Sequence, residues 1–146
     1  MFSMRYPPEG IRGVSGLTRA TRFGRVEGYF RRASEELCLI VQVETQAALD
    51  DLENIARVDG VDGVFIGPAD LHASMGYPGE TSNPKVLPLI EDAMRRIAKA
   101  GKAPGYLTPI EADARRMLAA GTLFCAVGAD VGLLARSAEA LCAKFK

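Results

Sequence analysis

Four times along this chain a short apolar run gives way to a stretch with helical spacing. That alternation constrains the fold more than any other feature of the sequence. The runs are CLIVQVET (38–45), GVFIGPAD (63–70), KAPGYLT (102–108, weakened by Pro104) and TLFCAVGAD (122–130). Helical stretches follow each: 46–58, with Ala47, Leu49 or Leu52, Ile55 and Ala56 near one period; 83–101; 109–121; and 131–145. Asn83 is placed to cap the second of these, Pro84 suits its first position and Gly101 its stop; Pro88 is also best tolerated in a first turn, which allows a later start. Strands separated by helices run parallel, because each connection crosses back over the sheet. The pattern therefore predicts an α/β fold, either an open doubly wound sheet or part of a (β/α) barrel. A complete (β/α)8 barrel takes about 250 residues, and this chain has 146.

A chain of this length buries roughly 70% of its unfolded surface, enough for a real core. No linker divides it. Residues 1–146 read as a single domain, with 1–37 as a lead-in: a Pro-, Gly- and Arg-rich loop, then a polar, irregular helix over 25–36. The formal net charge is zero, which argues against nucleic acid or an anionic membrane as partner. The arginines at 19, 22, 25, 31 and 32 are interleaved with Glu27, Glu35 and Glu36 and read as a solvated surface. Cys38, Cys125 and Cys142 fit no disulfide or zinc spacing. Two of them lie in apolar runs, where a cysteine is a small core residue, and a reducing cytoplasm is the expected compartment. No signal-peptide pattern precedes the domain, and no apolar run approaches the ~20 residues needed to span a bilayer.

In the first strand the period of two puts Leu39, Val41 and Val43 on one face and Ile40, Gln42 and Glu44 on the other. The first face is apolar throughout; the second turns polar at its carboxyl end. Barrel strands behave this way, with core below and function at the mouth. The second run ends in Gly67-Pro68-Ala69 and then an acid, Asp70; the fourth ends in Asp130. Neighbouring parallel strands lie about 4.8 Å apart, so Glu44 and Asp70 are able to meet over one ion. Two carboxylates without Cys or His partners suit a hard divalent cation such as Mg²⁺ or Mn²⁺. The same spacing also fits Glu44 as a cap for the following helix and Asp70 as a loop residue. Gly67 allows close backbone approach to a ligand, Pro68 fixes direction and small Ala69 leaves the next amides accessible; an ordinary tight turn is the alternative.

His72, the single histidine, sits in a Ser/Met/Gly stretch and reads as a loop residue near the site, with general-base chemistry as the other option. Arg12, in GIRG, is an exposed loop residue or an anion binder. Asp130 is expected to cap the last helix. Phosphate-loop, dinucleotide-binding, nucleophile-elbow and HExxH motifs are all missing from the sequence.

The segments RYPPEGIRGV, VQVET, DGVDGVFIGPADLHASMGYPG, GKAPG and AVGAD, in this order, resemble the HpcH/HpaI aldolase family, from about Arg5 to Phe145. The separation of VQVET and FIGPADL is the specific part of the match; the local matches run to this branch rather than to the citrate-lyase β type. The resemblance implies a (β/α)8 barrel and metal-dependent cleavage of 4-hydroxy-2-oxo acids to pyruvate, or a related 2-oxo acid, and an aldehyde. By motif it makes Glu44 and Asp70 the metal ligands, for Mg²⁺ or Mn²⁺ with Co²⁺ as a further candidate. Gln42, Gly67 and the backbone at Ala69 would meet the 2-oxo acid.

Measured against that family, the chain resembles a C-terminal half, strands five to eight. The base His and the enolate-stabilising Arg belong to the earlier half, and no motif here replaces them. The expected partners are a small 2-oxo acid and either a second copy, through the C-terminal helix, or a complementing N-terminal half. A non-catalytic barrel module serving assembly or 2-oxo-acid binding is the rival expectation.

Overall fold

The computed structural model describes residues 2–146. Its helices are α1 (Tyr29–Arg32), α2 (Gln46–Asp50), α3 (Leu52–Arg57), α4 (Pro68–Ser74), α5 (Leu87–Lys99), α6 (Glu111–Ala119) and α7 (Asp130–Ala143). Its strands are β1 (Ile40–Val43), β2 (Gly63–Ile66), β3 (Ala103–Leu107) and β4 (Phe124–Ala126). The strands form one sheet in the order β1-β2-β3-β4, every pair parallel. Consecutive strands are neighbours, which is the winding of a barrel rather than of a doubly wound sheet with a reversal point.

Register explains why one sheet face carries the core. Val43, Ile66 and Tyr106 are aligned across three strands, and all are fully buried. Over them pack Leu49 and Leu52 from the first crossover, and Ile90, Ala93, Met94 and Ile97 from α5, spaced as one helical stripe. Each large apolar side chain buried there contributes about 1.5–3 kcal/mol. Gly101 closes α5 at φ 76°, where the Lys102 N–H reaches the Ile97 carbonyl and the Gly101 N–H that of Ala98. Among the described residues no helix layer covers the other sheet face. Ile40 is 45% and Leu107 37% exposed. Phe65 and Phe124 partly fill it, their rings 6.0 Å apart, with Phe124 lying over Gly105 where a Cβ would overlap the ring.

Arg96 ties α5 to α3. Its Nε and Nη2 donate to the two Glu53 carboxylate oxygens at 2.6 and 2.7 Å, and Nη2 also reaches the Leu49 carbonyl. Hydrogen bonding from Arg96, then from the residue's own backbone, lowers the Glu53 pKa from 4.5 to about 2. A depressed carboxylate stabilises the fold above its ordinary pKa and loses that contribution as pH falls toward its folded value. The stability difference between the parent and Glu53→Gln is therefore expected to be full above about pH 4.5 and to shrink toward pH 2; urea midpoints across that range measure it.

Several elements depart from the spacing-based expectations. All four strands are shorter than their apolar runs. The helix over 46–58 is two helices, broken at Asp51. The helix expected from Asn83 starts at Leu87: Pro88 takes its first turn, while Asn83 forms the preceding turn, its Oδ1 accepting from Lys85 N–H. Within 25–36 only Tyr29–Arg32 is α-helical, followed by a 3-10 turn over Ala33–Glu35. Of the cysteines, half-buried Cys125 packs against the core as an apolar-run cysteine should, whereas Cys38 and Cys142 are exposed. The α7 helix carries no buried residue, although Val131, Leu134 and Leu141 lie along it. Among the described residues no helix is long and apolar enough to cross a membrane.

Candidate functional site

Glu44 follows β1 directly and is half-buried at the carboxyl end of the sheet. The alternative of a helix cap is removed by its neighbour. Thr45 caps α2, its Oγ1 accepting the Ala48 N–H at 3.1 Å. The Glu44 carboxylate is instead held by Gln42, whose Nε2 donates to Oε1 at 2.8 Å. On the adjoining strand end the Gly67 N–H donates to the Val43 carbonyl at 3.0 Å. A Cβ on Gly67 would lie 2.7 Å from Glu44 Oε1 and 2.8 Å from its Cγ. Glu44 therefore lies across Gly67, and that position is glycine because the carboxylate occupies the space.

Asp70 is not in a loop, the alternative its spacing left open, but is the third residue of α4. Gly67 precedes the helix, Pro68 takes its first position and an acid stands in its first turn, a start signature that was legible in GPAD. The helical period sorts the segment: Pro68, Leu71 and His72 are buried, whereas Ala69, Asp70, Ala73 and Ser74 are exposed. Ser74 Oγ accepts the Gln46 N–H at 3.1 Å and donates to the Leu71 carbonyl at 2.8 Å. Ser74 and Asp70 are one turn apart on the same face of α4. The Ser74 bond to Gln46 joins α4 to the start of α2, two residues beyond Glu44.

The other candidates sit elsewhere. His72 is fully buried on α4, with Nδ1 2.7 Å from the Pro68 carbonyl; that bond leaves the proton on Nδ1, and Nε2 has no partner among the described residues. It faces the core rather than the mouth, which corrects the loop placement and removes it as a base for the rim. Arg12 stacks on Tyr6, its Cζ 4.8 Å from the ring centroid. Asp130 is exposed at the first position of α7, one residue past the cap, and accepts the Val131 N–H.

Gln42 and Glu44 are bonded to one another at the end of β1, and Asp70 stands in the first turn of the helix that follows β2. Among the described residues no three His, Cys, Asp or Glu side chains cluster as a closed metal cage. That donor set fits a hard divalent ion that keeps water or substrate in its remaining positions. The larger concavities, about 640 Å³ beside Arg22, Tyr29 and Arg32 and about 450 Å³ beside Tyr6 and Phe30, belong to the lead-in segment. Neither includes the acids, because the sheet face beneath the rim has no opposing wall.

The family model described as HpcH/HpaI aldolase/citrate lyase matches residues 2–137. The chain belongs to this family. It is similar to the pyruvate aldolase of Rhizobium etli, 59% identical over 143 residues, covering 98% of this chain and 56% of that protein. It is also similar to the 4-hydroxy-2-oxo-heptane-1,7-dioate aldolase of Klebsiella pneumoniae, 56% identical, covering 97% and 54%. Among solved structures it resembles a family protein from Burkholderia cenocepacia, with a TM-score of 0.87 at 36% identity, covering 97% of this chain and 57% of that one. The chain spans about half the length of the curated relatives it matches. Its four consecutive parallel strands are those of half a (β/α)8 barrel.

Proposed function

We propose that this HpcH/HpaI chain supplies the metal-holding and 2-oxo-acid-holding part of a lyase that cleaves 4-hydroxy-2-oxo acids to pyruvate, or a related 2-oxo acid, and an aldehyde. The observation that carries this is Glu44 leaning over Gly67 beside the helix that bears Asp70, at the rim where the motif match expects both. Glu44 and Asp70 would hold Mg²⁺ or Mn²⁺, with Co²⁺ as a further candidate. Such an ion supplies a Lewis acid that polarises a ketone oxygen and stabilises negative charge developing there. Gln42 fixes the carboxylate it bonds and has a second amide hydrogen left for the substrate. The absence of a side chain at Gly67 leaves the space that Glu44 occupies, beside which the 2-oxo acid would bind. The Ala69 N–H lies in the first turn of α4, where no intrahelical acceptor reaches it, and is free for the substrate carboxylate.

No residue here is assigned the proton transfer. The base His and the enolate-stabilising Arg are proposed to lie in the part of the barrel this chain does not span. The unburied apolar side chains of α7 support association with a second copy, and the uncovered sheet face supports completion by further βα units.

Titration with Mn²⁺ in the presence and absence of pyruvate tests the assignment. Each ligand is expected to tighten binding of the other, by linkage through a shared site. Independent binding, or none, would favour the non-catalytic barrel module. Robust pyruvate release from a 4-hydroxy-2-oxo acid, undiminished in Glu44→Ala and Asp70→Ala, would overturn the assigned ligands.

A further inference from the structure

We infer that Ser74 is a positioning residue for the carboxylate pair: its hydroxyl locks the α4 helix that carries Asp70 onto the β1–α2 junction that carries Glu44. This rests on the metal-site reading above. Gln46 N–H is at the first position of α2, where the helix itself offers no acceptor. Thr45 Oγ1 serves the Ala48 N–H and leaves the Gln46 N–H unserved. Ser74 Oγ, 28 positions further along the chain, accepts that hydrogen at 3.1 Å. The same hydroxyl donates to the Leu71 carbonyl at 2.8 Å, so its rotor is fixed and its lone pair is aimed at Gln46.

The clamp spans the distance that matters to an ion. Gln46 is two residues beyond Glu44, and Ser74 is one helical turn beyond Asp70 on the same face. A second tie, Gly67 N–H to the Val43 carbonyl, fixes the strand ends at the base of the site. Ser74 supplies the tie at the outer end. With both in place, the two acid-bearing segments move as one body. Without the outer tie, α4 is held by its buried Pro68, Leu71 and His72 and by the inner bond, and the carboxylate separation is less tightly set.

The bond has two ends, and each is removable at the cost of one further bond within its own helix, for Ser74 the one to the Leu71 carbonyl. Ser74→Ala deletes the acceptor in the last residue of α4. Gln46→Pro deletes the donor, and proline suits a first helical position; Thr45, at φ −132° and ψ 156°, has the extended backbone that a following proline requires. The proline also loses a side-chain bond from Gln46 to Asp50, which is exposed and adds little.

The experiment measures the Mn²⁺ dissociation constant by the paramagnetic resonance signal of free Mn²⁺, with thermal midpoints recorded in parallel, for the parent, Ser74→Ala, Ser74→Thr, Gln46→Pro, the double variant and Glu44→Gln. Ser74→Ala and Gln46→Pro are each expected to weaken Mn²⁺ binding by roughly three- to tenfold, the worth of one hydrogen bond. Ser74→Thr, which keeps the hydroxyl, is expected to bind like the parent. The double variant is expected to be no weaker than the weaker single, because both remove one bond. A purely structural hydroxyl would lower the thermal midpoint and leave the dissociation constant in place. Parental affinity within twofold in both single variants, while Glu44→Gln abolishes binding, overturns the clamp and leaves the metal site standing. Additive losses in the double variant also overturn it. Failure of the parent to bind Mn²⁺, or equal binding by Glu44→Gln, overturns the metal site and the clamp together.

Discussion

Glu44→Gln is expected to lower Mn²⁺ affinity by at least about a hundredfold, and Asp70→Asn to do the same, with little change in thermal stability. Loss of a residue that merely orients a ligand already costs roughly 10- to 100-fold in metal affinity, so loss of a ligand itself costs at least as much. Here only two carboxylates are available, so each supplies half of the protein's charge toward the ion. Stability is spared for a separate reason. Glu44 makes one side-chain hydrogen bond, from Gln42, and its cap position is served by Thr45. Asp70 is exposed. Neither is part of the core that holds the sheet to α5. Calorimetric titration with Mn²⁺, beside a melting curve for each variant, separates the two quantities. Equal affinity in either variant would remove that residue from the site.

Gly67→Ala is expected to weaken Mn²⁺ binding about tenfold or more while the fold remains intact. Gly67 adopts φ −82° and ψ 99°, a conformation open to any L-residue, so the substitution carries no backbone strain. Its effect is steric. The new Cβ would meet Glu44 Oε1 at 2.7 Å and Cγ at 2.8 Å. A half-buried Glu side chain swings aside more easily than the strand ends separate, so the clash is relieved by displacing the carboxylate. Stability then changes by less than about 1 kcal/mol, below the range typical of overpacked rigid cores. The matching measurements are the Mn²⁺ dissociation constant and the urea midpoint of the variant. Unchanged Mn²⁺ binding would mean that Glu44 does not work from the position it occupies over Gly67.

The repeated alternation of apolar run and helix was enough to read the parallel α/β sheet. The period of two in IVQVE also identified which face of β1 is core and which carries Gln42 and Glu44. It worked because parallel strands buried on one face only keep a strict register, and the polar end of such a strand has nowhere to go but the rim. The α4 helix was missed because GPADLHAS continues an apolar run and looks like its frayed end. The capping chemistry of Gly-Pro-Ala-Asp outweighed the strand reading. With that helix went the orientation of His72: its polarity suggested a loop, and a helical period buried it.

Ser74 was invisible for a different reason. Its partner is a backbone N–H 28 positions away, and no spacing in the sequence encodes such a contact. The later start of α5 was legible in Pro88, since proline fits a first turn and not a second.

The central claim is that Glu44 and Asp70 grip one divalent ion at the carboxyl ends of β1 and β2. Anomalous diffraction from crystals soaked in Mn²⁺ tests it most directly. One strong peak is predicted, with an oxygen of Glu44 and an oxygen of Asp70 each roughly 2.0–2.3 Å away and solvent in the remaining positions. A peak bound to other residues, or to one of these acids with the other pointing away, would contradict it.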